Sequence, residues 1–389
     1  MAIAALLTVL LAACSGPILA NPPLVPVAPP TPTPGPTRPP DPQPIVFPRD
    51  DGPHDRLTEW WYYTGHLQDD EGGRWGFEFV IFRAERGGFP VSWASHVAIT
   101  DEVAGTFRYD QRSEIGPQVD GTSVGAEHPI SLWLRDPAAP VLSEPTAVPS
   151  LDPRDQLPTS WAMGGDSSST DLLAGFDGGT TGFALRTEAP PLVPVVLHGG
   201  NGWVDFGPAG GSYYYSRTRF AVSGLLLSDG PHDVTGTAWF DHQWGDFISV
   251  GGGGWDWFAV NLDDGTDLTI SLIRAADGGY PLVYGTLVDA DGTVRHLERR
   301  AFEVEADPSR TWASPSTGAT YPAGWTIRIP GEGLLIDLEP TVADQELDTR
   351  PTTGVVYWEG SQVVRATRDG SPLGGEAYVE LTGYAPAIP

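Results

Sequence analysis

The sequence predicts an all-β chain built from two tandem antiparallel barrel domains, and three observations carry that prediction. The first is an internal repeat. Trp60-Trp61-Tyr62-Tyr63-Thr64-Gly65-His66-Leu67-Gln68-Asp69-Asp70 is matched by Trp255-Asp256-Trp257-Phe258-Ala259-Val260-Asn261-Leu262-Asp263-Asp264, each an aromatic period-2 strand running into an acidic turn. Phe79–Ala84 and Ile270–Ala275 follow, both closing on Arg-Ala, and then Ala98–Asp101 and Thr286–Asp289. The offset drifts slowly, from about 195 to about 188 residues, as a duplicated β domain with small loop changes would show. The second observation is punctuation: 48 Gly and 39 Pro separate short runs of β-branched and aromatic residues, the pattern of strands joined by tight turns. The third is that no stretch of about 11 residues beyond the N-terminus carries a helical apolar period.

From the N-terminus, Ala2–Ala13 is an apolar run too short to span a bilayer, and it ends at Leu11-Ala12-Ala13-Cys14. Residues 1–14 therefore read as a lipoprotein signal with Cys14, the only cysteine, as the lipidated residue. Residues 15–48 hold 14 prolines in 34 positions and read as a polyproline II linker, able to reach on the order of 100 Å. Residues 49–253 form the first expected domain. Within it, Pro137–Ser169 reads as a long loop. The Gly251–Gly254 run is the expected hinge, and residues 254–389 form the second domain. Apolar residues on both faces of several strand candidates favour a barrel that encloses something. The protein is expected to be exported and membrane-anchored in the cell envelope.

The net charge is −28 and every one of the 22 basic residues is Arg. This excludes Lys Schiff-base chemistry and argues against nucleic-acid binding, which needs a basic footprint. There is no HExxH, no His-x-His pair and no cysteine ligand set, so neither a dedicated metal site nor a cofactor is expected. No G-x-S-x-G elbow or dinucleotide glycine pattern is present.

The segment richest in chemistry is Trp239-Phe240-Asp241-His242-Gln243-Trp244-Gly245. On a strand, His242 shares a face with Phe240 and Trp244, and Asp241 with Trp239 and Gln243; a bulge near Gly245 could bring the two together. Glu59, beside Trp60-Trp61-Tyr62-Tyr63, is a third candidate, either as an acid with a raised pKa or as the holder of an Arg at a barrel end. Asp241, His242 and Glu59 are the expected catalytic residues, and Trp60, Tyr62, Trp239, Trp244 and Trp257 the expected ligand-binding ones. Trp358-Glu359-Gly360 reads as a structural turn.

Glu59–Gly65, Ser212–Arg219, Gly236–Gly245, Gly254–Phe258, Tyr357–Gly360 and Gly374–Tyr384 together resemble the AttH-like/carotenoid 1,2-hydratase (hydroxyneurosporene synthase) family, in order over residues 53–385. The resemblance implies two lipocalin-like (calycin) barrels and an apolar ligand such as a lipid, carotenoid or other isoprenoid. It implies His242-Gln243-Trp244 as the family's His-x-Trp element, with Asp241 or His242 handling a proton and Trp244 and Trp257 facing a cation. It also implies a Tyr and an Asp on a neighbouring strand, where Leu268–Leu272 offers only hydroxyls, so that Asp256 or another acid would have to substitute. The leading functional expectation is an envelope lipoprotein that binds an apolar ligand, with an envelope transporter as the partner to receive it. The alternatives are a cofactor-independent hydratase or cyclase, and a lipid or glycan hydrolase using paired carboxylates such as Glu59 and Asp241.

Overall fold

A computed structural model describes residues 40–86, 89–116, 129–136, 154–247 and 252–386. Cys14, most of the Pro-rich stretch and residues 137–153 of the expected long loop lie outside them. Among the described residues there is no α-helix, only strands and short 3-10 turns.

The first sheet begins with a meander of β1 (Thr58–Gln68), β2 (Arg74–Ala84), β3 (Ser92–Asp101) and β4 (Thr106–Ile115). A second meander follows: β5 (Ile130–Leu134), β6 (Trp161–Asp166), β7 (Ser169–Phe176) and β8 (Thr181–Glu188). The short β9 (Val196–Leu197) and β10 (Trp203–Asp205) precede a long hairpin of β11 (Gly211–Leu227) and β12 (Pro231–Gly245). The order is β4-β3-β2-β1-β12-β11-β8-β7-β6-β5, antiparallel throughout. β6 occupies part of the segment expected to be a loop.

The second sheet repeats this plan. Its opening meander is β13 (Gly252–Leu262), β14 (Asp267–Ala275), β15 (Leu282–Val288) and β16 (Val294–Leu297). Then come β17 (Glu303–Ala306), the separate hairpin β18 (Thr311–Ala313) and β19 (Thr320–Pro322), β20 (Trp325–Ile329) and β21 (Leu334–Pro340). The chain closes with β22 (Glu346–Thr349), β23 (Val355–Arg368), β24 (Ser371–Leu373) and β25 (Gly375–Thr382). In each sheet the first strand lies between the second strand and the last long one: β1 pairs with β2 and β12, and β13 with β14 and β25.

Both sheets curl into nearly closed barrels. The edge strands of the first are bridged where Arg135, just past β5, donates from its backbone N–H (3.3 Å) and its Nε (2.9 Å) to Glu114 on β4. Among the described residues, aromatic rings from several strands meet in the lumen. Phe77 and Phe79 on β2 reach Phe183 on β8 at 5.4 and 5.9 Å between ring centroids, and Phe79 meets Trp161 on β6 at 6.4 Å. In the second barrel Phe258 on β13 meets Trp325 on β20 at 5.8 Å. Large aromatics thus occupy inward positions of both barrels. The outward apolar positions of β1, β2 and β12 pack against the second sheet, where Tyr62, Val80 and Trp239 join Trp257, Ala259 and Tyr378.

Close approach along the β1–β12 seam explains two glycines. A Cβ on Gly236 would stand 1.8 Å from the His66 carbonyl oxygen, and one on Gly65 2.3 Å from that of Thr237. The segment Pro44–Leu57 crosses one end of the first barrel as a strap. Ile45 and Phe47 pack on the core, so residues 44–48 belong to the compact body and not to a linker. The buried Asp51 fixes the strap, accepting from Tyr215 Oη (2.5 Å) and the Ser167 N–H (3.1 Å), while its carbonyl accepts from Trp61 Nε1 (2.9 Å).

Candidate functional site

The central strand β12 divides the candidate residues between its two faces. β1 and β12 pair without a register break from Thr58↔Gly245 to Gln68↔Thr235. No bulge brings Asp241 and His242 together; the irregularity lies instead on β11, between Arg217 and Phe220. His242 therefore points into the first barrel with Glu59 and Trp244, and Asp241 points toward the second sheet with Trp239 and Tyr62. Glu59 and Asp241, on opposite faces, cannot flank one bond, which removes the paired-carboxylate hydrolase geometry.

Inside the barrel end, Glu59 holds two histidines rather than an arginine. Its Oε1 lies 2.7 Å from His54 Nδ1 and 2.9 Å from His242 Nε2, and its Oε2 accepts the His54 backbone N–H at 2.8 Å. Burial alone would raise the Glu59 pKa, but the histidines outweigh it and hold the carboxyl below its usual value. His54 is lowered by burial and raised more strongly by Glu59 and Asp50, so it ends above its usual value. His242, wholly buried, is pushed down to about 4 by desolvation and is a neutral imidazole at pH 7. The rings are fixed by stacking, His54 on Trp244 (4.0 Å) and His242 on Trp61 (4.6 Å). Trp61 and Trp244 are thus walls of a packed core.

The other face of β12 forms a polar layer between the sheets. Asp241 accepts from Tyr214 Oη (2.5 Å), Trp239 Nε1 (2.7 Å) and Ser216 Oγ. Ser216 Oγ in turn lies 2.7 Å from His198 Nε2, and Tyr214 Oη accepts from Trp257 Nε1 at 3.3 Å. Because Ser216 stands between the His and the Asp, this is not the order of a serine nucleophile, which has the His between them. Desolvation raises Asp241 to about 6 against the pull of its three donors.

Across the layer, the register aligns Trp257 with Glu380 and Glu380 with Glu359 on one face of the second sheet. Glu359 is 1 % exposed, and neither carboxyl oxygen has a hydrogen-bond partner. Tyr62 Oη, also buried and unpaired, lies near enough to lower the Glu359 pKa while outside hydrogen-bonding geometry. Desolvation dominates, with the charges of Glu78 and Glu380 adding to it, so Glu359 sits well above its usual value and its neutral form is favoured. Glu78, which accepts from Tyr357 Oη at 2.7 Å, is raised for the same reason. Glu380 accepts from Trp255 Nε1 at 2.9 Å and is pushed up to about 7, although the surface access it keeps makes it a weaker case than Glu359. The rings of Tyr62 and Trp257 meet edge to face at 5.6 Å beside these acids, with Trp60 half-buried on the same sheet face as Tyr62.

Asp256 does not join this layer. It lies on the inner face of the second barrel, bonded to Tyr384 Oη at 3.0 Å and 3.4 Å from Arg274 Nε. Sequence reasoning missed Glu78, Glu359, Glu380 and Tyr214. The available signal was a carboxylate within an unbroken apolar strand, as in Phe77-Glu78-Phe79-Val80 and Tyr357-Trp358-Glu359, which is costly unless the site uses it. Glu359 is mid-strand, not in a turn.

Fold and site together define a tandem-barrel β protein with buried carboxylic acids and aromatic rings where its two lipocalin-like sheets meet. The chain belongs to the AttH-like family, whose model matches residues 38–384. It is similar to a Nitrosomonas europaea protein described as an AttH, with a TM-score of 0.70 and 30% identity, covering 88% of this chain and 98% of that one. Kievitone hydratase from Nectria haematococca aligns with a TM-score of 0.62 at 16% identity, over 87% of this chain and 93% of its own. CghA in complex with Sch210972 aligns with a TM-score of 0.51 at 14% identity, over 85% and 89%. At these last two identities the likeness is one of fold. A search of curated protein sequences finds no match.

Proposed function

We propose that the layer between the sheets binds an apolar unsaturated ligand of the isoprenoid or polyene class, and that Glu359 protonates one of its double bonds without a cofactor. The observation that carries this reading is the Glu359 carboxyl: buried, unpaired and with its neutral form favoured by desolvation. The alkene π pair takes the Glu359 proton, leaving a carboxylate and a tertiary carbocation. The faces of Tyr62 and Trp257 stabilise that cation by about 0.5–2 kcal/mol each when desolvated. Water then forms the new C–O bond and returns a proton to Glu359, which restores the acid. Asp241 positions Tyr214, and through it Trp257, rather than meeting the alkene. His242, on the far side of β12, is outside this step. Attack by a second double bond in place of water would give a cyclase.

The test incubates the purified protein with isoprenoids and polyenes in ¹⁸O-labelled water. The expected result is one ¹⁸O per product, with Glu359→Gln lowering the rate by about 10²- to 10⁴-fold. A ligand that co-purifies and is recovered unlabelled would replace turnover with carriage. Equal labelling by Glu359→Gln would sink the assignment of the acid.

We further propose that lipidation of Cys14 anchors the protein at the cell envelope, where apolar ligands are concentrated. Two acyl signals would hold it where one alone binds marginally. Metabolic labelling with a radioactive fatty acid should mark the parent and not Cys14→Ser; equal labelling of both would remove the anchor.

A further inference from the structure

We propose that His54, Glu59 and His242 hold a divalent zinc-like metal ion that clips the Pro44–Leu57 strap to the end of the first barrel. This site is on the opposite face of β12 from Asp241 and does not depend on the reaction proposed above. One ligand atom from each residue lies within 4.8 Å of those of the other two, and His54 Nδ1 and His242 Nε2 both face Glu59 Oε1. Two imidazoles and one carboxylate are a common zinc donor set, with metal–ligand distances of about 2.0–2.2 Å. Ligand atoms on such a tetrahedron stand about 3.3 Å apart. The present separations of 2.7 and 2.9 Å need only a small opening of the side chains.

Two further features suit a metal. The ligands are oriented from behind: His54 Nε2 faces Asp50 Oδ1 at 3.5 Å, and the second Glu59 oxygen is held by the His54 backbone N–H. Such carboxylate and backbone contacts fix the ring and tautomer of metal-binding histidines. The His242 ring is buried with its Nδ1 unpartnered, and its Nε2 already faces Glu59 Oε1, so both would-be ligand atoms point at one spot. The ion would replace the Nε2 proton in that contact, with the proton moved to Nδ1. The ligands come from the strap, β1 and β12, so one ion would join three chain segments, with the protons between Glu59 and the rings released on binding.

The test uses the full chain, purified without chelator, then stripped with EDTA and titrated with zinc. The expected result is one metal per chain by elemental analysis and a melting-temperature rise of about 5 °C or more in excess zinc. Co²⁺ should give the visible bands of a four-coordinate site. His54→Phe keeps a ring on Trp244 but removes a ligand, and it should weaken zinc binding by at least about 10-fold and abolish the thermal shift. Circular dichroism of His54→Phe confirms that it is folded. No zinc-dependent shift in the parent, or the same shift in folded His54→Phe, overturns the proposal.

Discussion

Glu359→Gln is expected to raise the melting temperature at pH 8 and to change it little at pH 5, even as it removes the proposed proton donor. The folded-state pKa of Glu359 is well above its unfolded value near 4.5, chiefly through desolvation. Between those two values the unfolded chain has lost the proton and the folded chain has kept it. The unfolded state then binds fewer protons, so stability falls as pH rises. The stability this carboxyl contributes is complete below pH 4.5 and is lost as pH passes its folded pKa. Glutamine has no proton to lose and escapes that decline. Asp241, raised from 3.8 to about 6, acts with the same sign, and each tenfold gain in proton affinity on folding is worth about 1.4 kcal/mol. The parent should therefore lose urea resistance from about pH 4 to 8, with the slope reduced in Glu359→Gln. An equal difference between the two proteins at pH 5 and pH 8 would show that Glu359 is ionised in the fold throughout.

Trp61→Ala should cost about 3–5 kcal/mol, among the largest losses available to a single substitution in this chain. Trp61 is fully buried, stacks on His242 at 4.6 Å and lies 6.4 Å from Trp93. Its removal leaves a large cavity and also strips the Asp51 carbonyl of its donor, freeing the strap. Urea denaturation measures the loss, and limited proteolysis should show new cleavage within residues 44–57. A loss below about 1 kcal/mol would mean that neighbouring rings collapse into the space.

The fold was legible because period-2 alternation, turn residues and the repeat all depend on short-range order in the sequence. The pairing of Trp60 with Trp255 in the repeat corresponds to two strands that each sit at the centre of a sheet. Alternation also separates Asp241 from His242 correctly. It cannot show which face of β12 meets another sheet. That depends on β23 and β25, from the far end of the chain, arriving opposite β1, so Glu359 reads in the sequence as a turn residue. The His54–Glu59–His242 cluster is hidden for a similar reason, its third member being 183 residues from Glu59. Spacing rules find metal ligands on one helix or one loop, not on two strands that meet only after the barrel closes.

The seam between β1 and β12 also sets an order of events in time. Hairpins such as β1–β2 can form as soon as both strands exist, but Thr58 finds Gly245 only when the whole first half has been made. At a synthesis rate of roughly 5–20 residues per second, the open edge of β1 waits about 10–40 s for its partner. During that interval it presents a long apolar strand with unpaired backbone groups, which is open to pairing with another chain. The second sheet faces a shorter delay of the same kind, since β13 completes its pairing only with β25, the last strand. A protein built to close each sheet with its final strand is therefore most vulnerable to aggregation just before each half is finished.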